Sequence, residues 1–324
     1  MIYKSIFSGR LEFGSARSFE QVLKFYEHRR ENYYKLDIIF KSEDIFFEST
    51  TSLDIPRFIT QVSEKTWRNT VSLLEQVAQF AIAGDLSAWM TDNGKIISQM
   101  MIEPQSDKIA VQAFIKGREL MEAGMEDEAK EALSKAIEKF ERHALAYERR
   151  GFINLRLRNY ADALYDYSKS IDINPNKADA YFGRAFVRIG QNDFAGAIPD
   201  LEKAHKTSIP LQPIYWKARR VKAECHLKLQ EYANAVAELK LVTQREFAPF
   251  DSNYKWRRKA WYNYGQALLA TGDKAEAIKA LQAAIHIPDG EGNITDADIM
   301  LLLDSAQSSD APPAQERRAS AASR

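Results

Sequence analysis

Apolar positions over the first hundred residues switch repeatedly between a period of two and a helical period. Ile2 to Phe13 reads as a first strand. Ser18 then opens an S-x-x-Q capping box with Gln21, and Phe19, Val22, Leu23 and Tyr26 follow at helical spacing. Leu36, Ile38 and Phe40 alternate, and past a turn at Ser42-Glu43 the apolar run Ile45 to Phe47 completes a predicted strand pair. A long helix is predicted from Pro56, with Trp67, Val71, Leu74, Ala78 and Ala81 on one stripe. Asp92-Asn93-Gly94 is a type I′ hairpin signal between Leu86–Thr91 and Lys95–Ile102. The resulting order, β-α-β-β-α-β-β, predicts a ferredoxin-like α+β module over residues 1–103, with helices on one face of an antiparallel sheet. Residues 104–109 read as a linker, beginning just after Glu103 with Pro104-Gln105-Ser106-Asp107.

From residue 110 the pattern is purely helical and repeats. Ala129, Ala163, Ala197, Ala235 and Ala277 each close a four-residue motif, such as Tyr160-Ala-Asp-Ala163, and lie 34, 34, 38 and 42 residues apart. The surplus falls around Pro210 and Pro213 and around Pro249, between units, so the helix pairs stay intact. Residues 144–177 and 258–291 carry further matches at fixed offsets: Tyr147, Gly151, Ala163, Tyr167 and Pro175 in the first, Trp261, Gly265, Ala277 and Leu281 in the second. This pattern resembles the tetratricopeptide repeat (TPR), a pair of antiparallel helices that stacks on its neighbours to bury an apolar face. The resemblance covers about residues 110–291; its first copy is the weakest, with Ala113 in place of an aromatic and Glu141 where proline is usual. It implies an all-α solenoid of five repeats. Ile294 to Ser305, with Thr295 as N-cap and Ile299, Leu302 and Leu303 on one side, is predicted to be the cap helix that completes an array over residues 110–306. Residues 307–324 show no apolar period and read as a disordered tail, in which Arg317-Arg318-Ala319-Ser320 looks like a basophilic kinase site.

Composition narrows the function. The 324 residues hold 45 basic and 45 acidic side chains, so no global field steers the chain to nucleic acid or an anionic membrane. A single cysteine, Cys225, excludes an internal disulfide framework and a multi-cysteine metal cluster. The N-terminus lacks a signal-peptide run and no stretch has the length of an apolar span, so a cytoplasmic, soluble chain without membrane contact is expected. No phosphate-binding loop, H-E-x-x-H or G-x-S-x-G is present, and the five histidines are scattered. Cys225-His226 sits inside a predicted helix, where neighbours point about 100° apart and cannot act on one atom. No catalytic residue, metal ligand or cofactor is therefore predicted, and the chain reads as a non-enzyme.

What the resemblance implies about function rests on its geometry, in which the first helix of each pair lines a concave groove. The family's groove positions fall on Phe114, Arg118, Glu148, Phe152, Arg156, Phe182, Phe186, Lys217, Arg220, Lys259 and Tyr262. Over the five first helices the net charge is +9, and over the five second helices −5. Two readings follow: the layers pair their charges, or the groove is basic toward a partner. The second is the working expectation, giving a scaffold or adaptor for an acidic protein or peptide with apolar anchors. Chaperone-binding members clamp a C-terminal carboxylate with Lys, Asn and Arg at set positions. In this chain those positions hold Phe114, Arg118, Arg149, Asp179 and Gly183, or one repeat later Glu148, Phe152, Gly183, Lys217 and Val221, so a chaperone tail is not an expected partner. Two alternatives remain: nucleic-acid binding through Arg149-Arg150, Arg219-Arg220 and Arg257-Arg258, and an unrecognised activity within residues 1–103.

Overall fold

A computed structural model describes residues 1–308, which divide into two compact units, Met1–Tyr215 and Trp216 onward. The first begins with a five-stranded antiparallel sheet of order β2-β3-β1-β4-β5, formed by β1 (Ile2–Glu12), β2 (Phe46–Phe47), β3 (Ser52–Ser63), β4 (Ala83–Asp92) and β5 (Lys95–Ile102). Helices α1 (Ala16–His28) and α3 (Glu64–Ala78) cross between strands, and a single turn, α2 (Ser42–Ile45), precedes β2. The first four strands thus carry the 2-3-1-4 order of a split βαβ arrangement, with β5 added by the hairpin at Asn93-Gly94, whose φ values of 46° and 77° suit the tight turn.

Three local expectations are corrected. Helix α1 starts at Ala16 because Ser15, not Ser18, is its cap, its side chain accepting from the Ser18 N–H at 3.1 Å. Pro56 begins no helix. It lies in β3, where the register against β1 shifts between Phe7 and Gly9, so the missing N–H falls at a bulge in the ladder. Leu36, Ile38 and Phe40 form no strand, since Lys35 and Leu36 take positive φ. Ile38 and Phe40 are still buried, and the Ile39 N–H donates to Thr70 Oγ1 instead of to a neighbouring strand. Alternation there reports burial without pairing.

One sheet face, with Phe7, Leu11, Leu53, Ile55, Leu86 and Ala88, packs on Val22 and Tyr26 of α1 and Trp67, Leu74 and Val77 of α3. The opposite face carries Ile6, Ser8 and Arg10 of β1 and Asp85, Ser87 and Trp89 of β4. Gly9 and Gly84 bring these two strands unusually close: a Cβ on Gly9 would stand 2.2 Å from the Asp85 carbonyl oxygen.

Helix pairs follow: α4 (Ile109–Glu122) with α5 (Glu126–Lys139), α6 (Ala144–Arg156) with α7 (Tyr160–Ile173), and α8 (Ala178–Gly190) with α9 (Phe194–Thr207). Residues 1–103, expected as a module of their own, share the first unit with these three pairs. After α10 (Pro213–Lys228), the second unit continues with α11 (Tyr232–Thr243), α12 (Arg257–Thr271), α13 (Lys274–Ile285) and α14 (Asp296–Ser308). All five signature alanines are fully buried where paired helices meet. Gly117, Gly151 and Gly265 serve the same close approach, as a Cβ on Gly265 would sit 2.6 Å from Leu281 Cγ. The surplus residues lengthen the start of α10 and form a loop over 244–256, as their spacing indicated. Thr295 and Asp298 cap α14 reciprocally: Asp298 N–H donates to Thr295 Oγ1 at 3.2 Å and Thr295 N–H to Asp298 Oδ2 at 2.8 Å. Ile299 and Leu303 of α14 then cover Leu281 and Ala284. The helix runs to Ser308, and the remaining tail, with Arg317 to Ser320, lies outside the described residues.

Candidate partner-binding surface

The first helices of the repeats hold the side chains expected to meet a partner, and the structure sorts them into three groups. Phe114 is buried, its ring 4.8 Å from that of His143, and it lines a small cavity with Ile82, Gly84 and Pro104. Arg118, Arg156, Arg220 and Lys259 are each held by a carboxylate. Arg118 Nη1 donates to both oxygens of Glu103 at 2.8 and 2.9 Å, and Arg156 pairs with Glu126 at 2.9 Å. In the second unit Arg220 and Lys259 converge on Glu224 at 2.7 and 3.2 Å, and both lie over the Trp256 ring. Lys217 is half-buried and makes no ion pair among the described residues, and Tyr262 packs on the cluster around Leu281 and Ile299. The third group is aromatic and open. Phe152 is 43% exposed and Phe186 37%, at equivalent positions of α6 and α8, with Phe182 4.8 Å from Phe186.

Charge segregation between the layers serves the first of the two readings given above, pairing of charges across the layers, which was not the working expectation. Arg150 donates from Nε and Nη2 to Asp166 of its own repeat, at 3.0 and 2.7 Å, and from Nη1 to Ser134 of the preceding repeat at 3.0 Å. Arg184 does the same one period later, with Asp200 at 2.9 and 2.7 Å and Ser168 at 3.2 Å. In the second unit Lys222 meets Glu238 at 2.7 Å, again sixteen positions on, and Arg219 shares that carboxylate at 2.6 Å. Basic residues of first helices thus staple second-helix acids, and bidentate geometry makes the arginine rungs strong. The findable signal was a cation at i with an acid at i+16, joined at Arg150 and Arg184, 34 residues apart, by a serine at i−16. Of the arginine doublets proposed for phosphate contact, Arg149, Arg150, Arg219, Arg220 and Arg258 are all ion-paired.

Within the first unit the sheet's open face meets the same helices. Lys177, at the start of α8, reaches both oxygens of Asp85 at 3.0 and 3.2 Å; Arg142 reaches Glu12 at 3.3 Å; Arg57 donates to the Ser208 carbonyl at 3.0 Å. Ile209 packs on Ile6 and Trp89. A polar cavity of about 250 Å³ remains here, lined by Ser8, Arg57, Asp85, Asn176, Lys177 and Lys206 among others. Beside these contacts Glu148, a groove position by family geometry, is only 4% exposed. Its carboxyl is pushed up from 4.5 to about 7, first by burial and then by Asp179 and Asp85, with Arg149 and Lys177 pulling the other way. Because the folded state binds this proton more tightly than the unfolded chain, the contribution is full below pH 4.5 and is lost as pH rises to about 7. Glu148→Gln is expected to remove that slope, worth about 3 kcal/mol across the window at 1.36 kcal/mol per unit. Urea unfolding at pH 5 and pH 8 measures it; parallel profiles for wild type and variant would place the proton elsewhere.

The Cys225-His226 pair is withdrawn from solvent. Cys225 is buried and its thiol is pushed up to about 12, chiefly by burial, away from the reactive thiolate. His226 is buried too and contacts Glu231 at 2.6 Å. Among the described residues no group of three or more His, Cys, Asp or Glu could hold a metal ion, and no helix is long and apolar enough to cross a membrane.

Descriptions of the tetratricopeptide repeat match residues 116–178, 182–251 and 258–287, together about half of the chain. No curated protein matches it. Among solved structures, YrrB, a TPR protein with an unusual peptide-binding site, is 20% identical, with a TM-score of 0.48 over 61% of this chain and 92% of its own. PilF of Pseudomonas aeruginosa is 15% identical, with a TM-score of 0.49 over 62% of this chain and 86% of its own. MamA of Desulfovibrio magneticus RS-1 is 13% identical, with a TM-score of 0.47 over 56% and 95%.

Proposed function

The chain belongs to the tetratricopeptide-repeat family, and on that premise we propose that it is a non-catalytic scaffold holding a protein or peptide partner on the first-helix face of its repeats. The observation that carries this reading is the pair Phe152 and Phe186. Large aromatics exposed at equivalent positions on the first helices of successive repeats, beside the Phe182 ring, suit apolar anchors of a partner segment. An acidic partner gains less than the +9 of the first helices implies. To engage Arg118, Arg156, Arg220 or Lys259 it must displace Glu103, Glu126 or Glu224. Apolar contact therefore leads, and carboxylates of the partner add register. Nucleic-acid binding loses support because five of the six doublet arginines, all but Arg257, are ion-paired.

Capture of partners from lysate by the full chain tests the proposal. Phe152→Ala with Phe186→Ala is expected to lower recovery of a specific partner at least tenfold while leaving the circular dichroism unchanged. The control is Tyr165→Ala, a 54% exposed aromatic on the second helix α7, which is expected to have little effect. Equal recovery by the double variant and wild type would move the binding surface off α6 and α8.

A further inference from the structure

The loop that exceeds the repeat period, residues 244–256, closes a crevice in the second unit whose polar walls are three arginines, Arg220, Arg245 and Arg257, with Thr243 and Asn253. No Asp or Glu lines it. Arg220 forms the floor. It is 6% exposed, its guanidinium lies 3.9 Å from the Trp256 ring centroid, and its Nε–H is buried without a hydrogen-bond partner. Stacking on an indole fixes the guanidinium plane; Nη1 is engaged by Glu224 at 2.7 Å, and the Nε–H is the donor left to meet an oxyanion. The acid that Arg220 does touch, Glu224, is already shared with Lys259. At the mouth, Arg257 is held over the Tyr254 ring at 3.6 Å and donates Nε–H to the Tyr254 carbonyl at 3.0 Å; Arg245 lies 5.8 Å from the Trp216 ring. Neither makes an ion pair among the described residues. Three arginines thus line one opening whose walls hold no carboxylate, and of the three only Arg220 is ion-paired, with Glu224.

We propose that this crevice binds a phosphate monoester, presented as a phosphorylated serine or threonine side chain of the partner. The enclosed space, about 20 Å³, admits one small group at the Arg220 floor and no more. The remaining oxygens of a tetrahedral anion would stay at the mouth, within reach of two further forks, while its carrier lies outside. A carboxylate offers a single charge and two oxygens to three guanidinium groups, whereas a phosphomonoester offers nearly two charges and three acceptor oxygens. On the same loop Phe250, 93% exposed, gives the segment flanking the phosphate an apolar contact. The burial that lowers the Arg220 pKa is a cost of holding a cation there, and a bound dianion offsets it.

This inference rests on the scaffold reading, and its test separates the two. An alanine-rich peptide carrying one phosphoserine is titrated into the full chain by calorimetry. The unphosphorylated peptide, a Glu-for-phosphoserine peptide, inorganic phosphate and adenosine monophosphate serve as parallel arms. Binding of the phosphopeptide at least tenfold tighter than either other peptide is expected, with weakening as salt is raised and competition by inorganic phosphate. Arg245→Glu with Arg257→Glu changes only side chains at the mouth and should abolish it, whereas Phe152→Ala with Phe186→Ala should leave it intact. Tighter binding of the nucleotide than of the phosphopeptide, equal affinity for all peptides, or undiminished binding by the arginine variant overturns the proposal. Loss of lysate capture in the phenylalanine variant alongside intact phosphopeptide binding shows that the two surfaces act separately.

Discussion

Replacing Lys177 with Met is expected to destabilise the first unit by about 3–5 kcal/mol, as is replacing Asp85 with Leu. The pair is largely withdrawn from solvent, with side-chain exposures of 17% and 11%, and joins the α8 start to strand β4. Burial alone would lower the Lys177 pKa, but Asp85, Glu148 and Asp179 overcome it and push the ammonium up, so the cation stays charged. Removing Lys177 leaves the Asp85 carboxylate buried without its cation, and removing Asp85 leaves the ammonium without its hydrogen-bonded partner and only Glu148 and Asp179 nearby. This leftover buried charge, rather than the lost attraction, sets the size of the effect. The double variant with Met and Leu should therefore recover most of the loss, which neither single change can do. Urea unfolding followed by tryptophan fluorescence measures all three, and Trp89, on the same sheet face, reports directly on this contact. Limited proteolysis gives a second reading, since a loosened sheet should open Glu103–Asp107 to cleavage. Single variants within 1 kcal/mol of wild type would mean that Ile209 on Ile6 and Trp89 holds the sheet without help from the ion pair.

How far the residues alone led depended on what each pattern measures. The repeat was readable because small side chains recur wherever two backbones must touch. Ala129, Ala163, Ala197, Ala235 and Ala277 are fully buried for that reason, and a local helical period locates them. The strand over Ser52–Ser63 was not readable, because a proline at a bulge looks the same as a proline opening a helix until the partner strand is known. Leu36, Ile38 and Phe40 gave the period of a strand with no neighbour to pair, and positive φ at Lys35 and Leu36 settled the outcome. The candidate surface was harder still. Its aromatic half, Phe152 with Phe182 and Phe186, follows from helix positions. Its basic half does not, because a charge sum treats every cation as free. Arg150 and Asp166 are sixteen residues apart, a distance that means nothing on one helix and becomes a 2.7 Å contact once two helices fold back on each other. The burial of Phe114 and Glu148 depended on contacts with other segments that no repeat pattern encodes.

Deleting α14 from the full chain is expected to cost the second unit more than 4 kcal/mol and to turn it into an aggregating species. Ile299 is fully buried and Leu303 nearly so, against Leu281 and Ala284 with Trp261 and Tyr262 at the margin. Burying an Ile or Leu side chain stabilises by about 1.5–3 kcal/mol, so these two contribute about 3–6 kcal/mol together, before the other contacts of the helix are counted. Arg258, itself buried, also loses Asp296 and keeps only Asp289 and the Ile287 carbonyl. The newly bare face on α13 is what a stacked repeat offers its neighbour, so a second copy of the chain becomes its most available cover. Truncation after Ser308 removes only residues whose sequence has no apolar period, and should leave the melting curve within the ±0.5 kcal/mol of a surface change. Thermal melts with light scattering compare the two truncations. Ile299→Asp in the intact chain keeps the length and tests the same contact, because a carboxylate at a site with no exposure must either drag solvent into the Leu281 cluster or lift the helix away. Identical melts for both truncations, with a silent Ile299→Asp, would mean that α14 rests on the repeat without stabilising it.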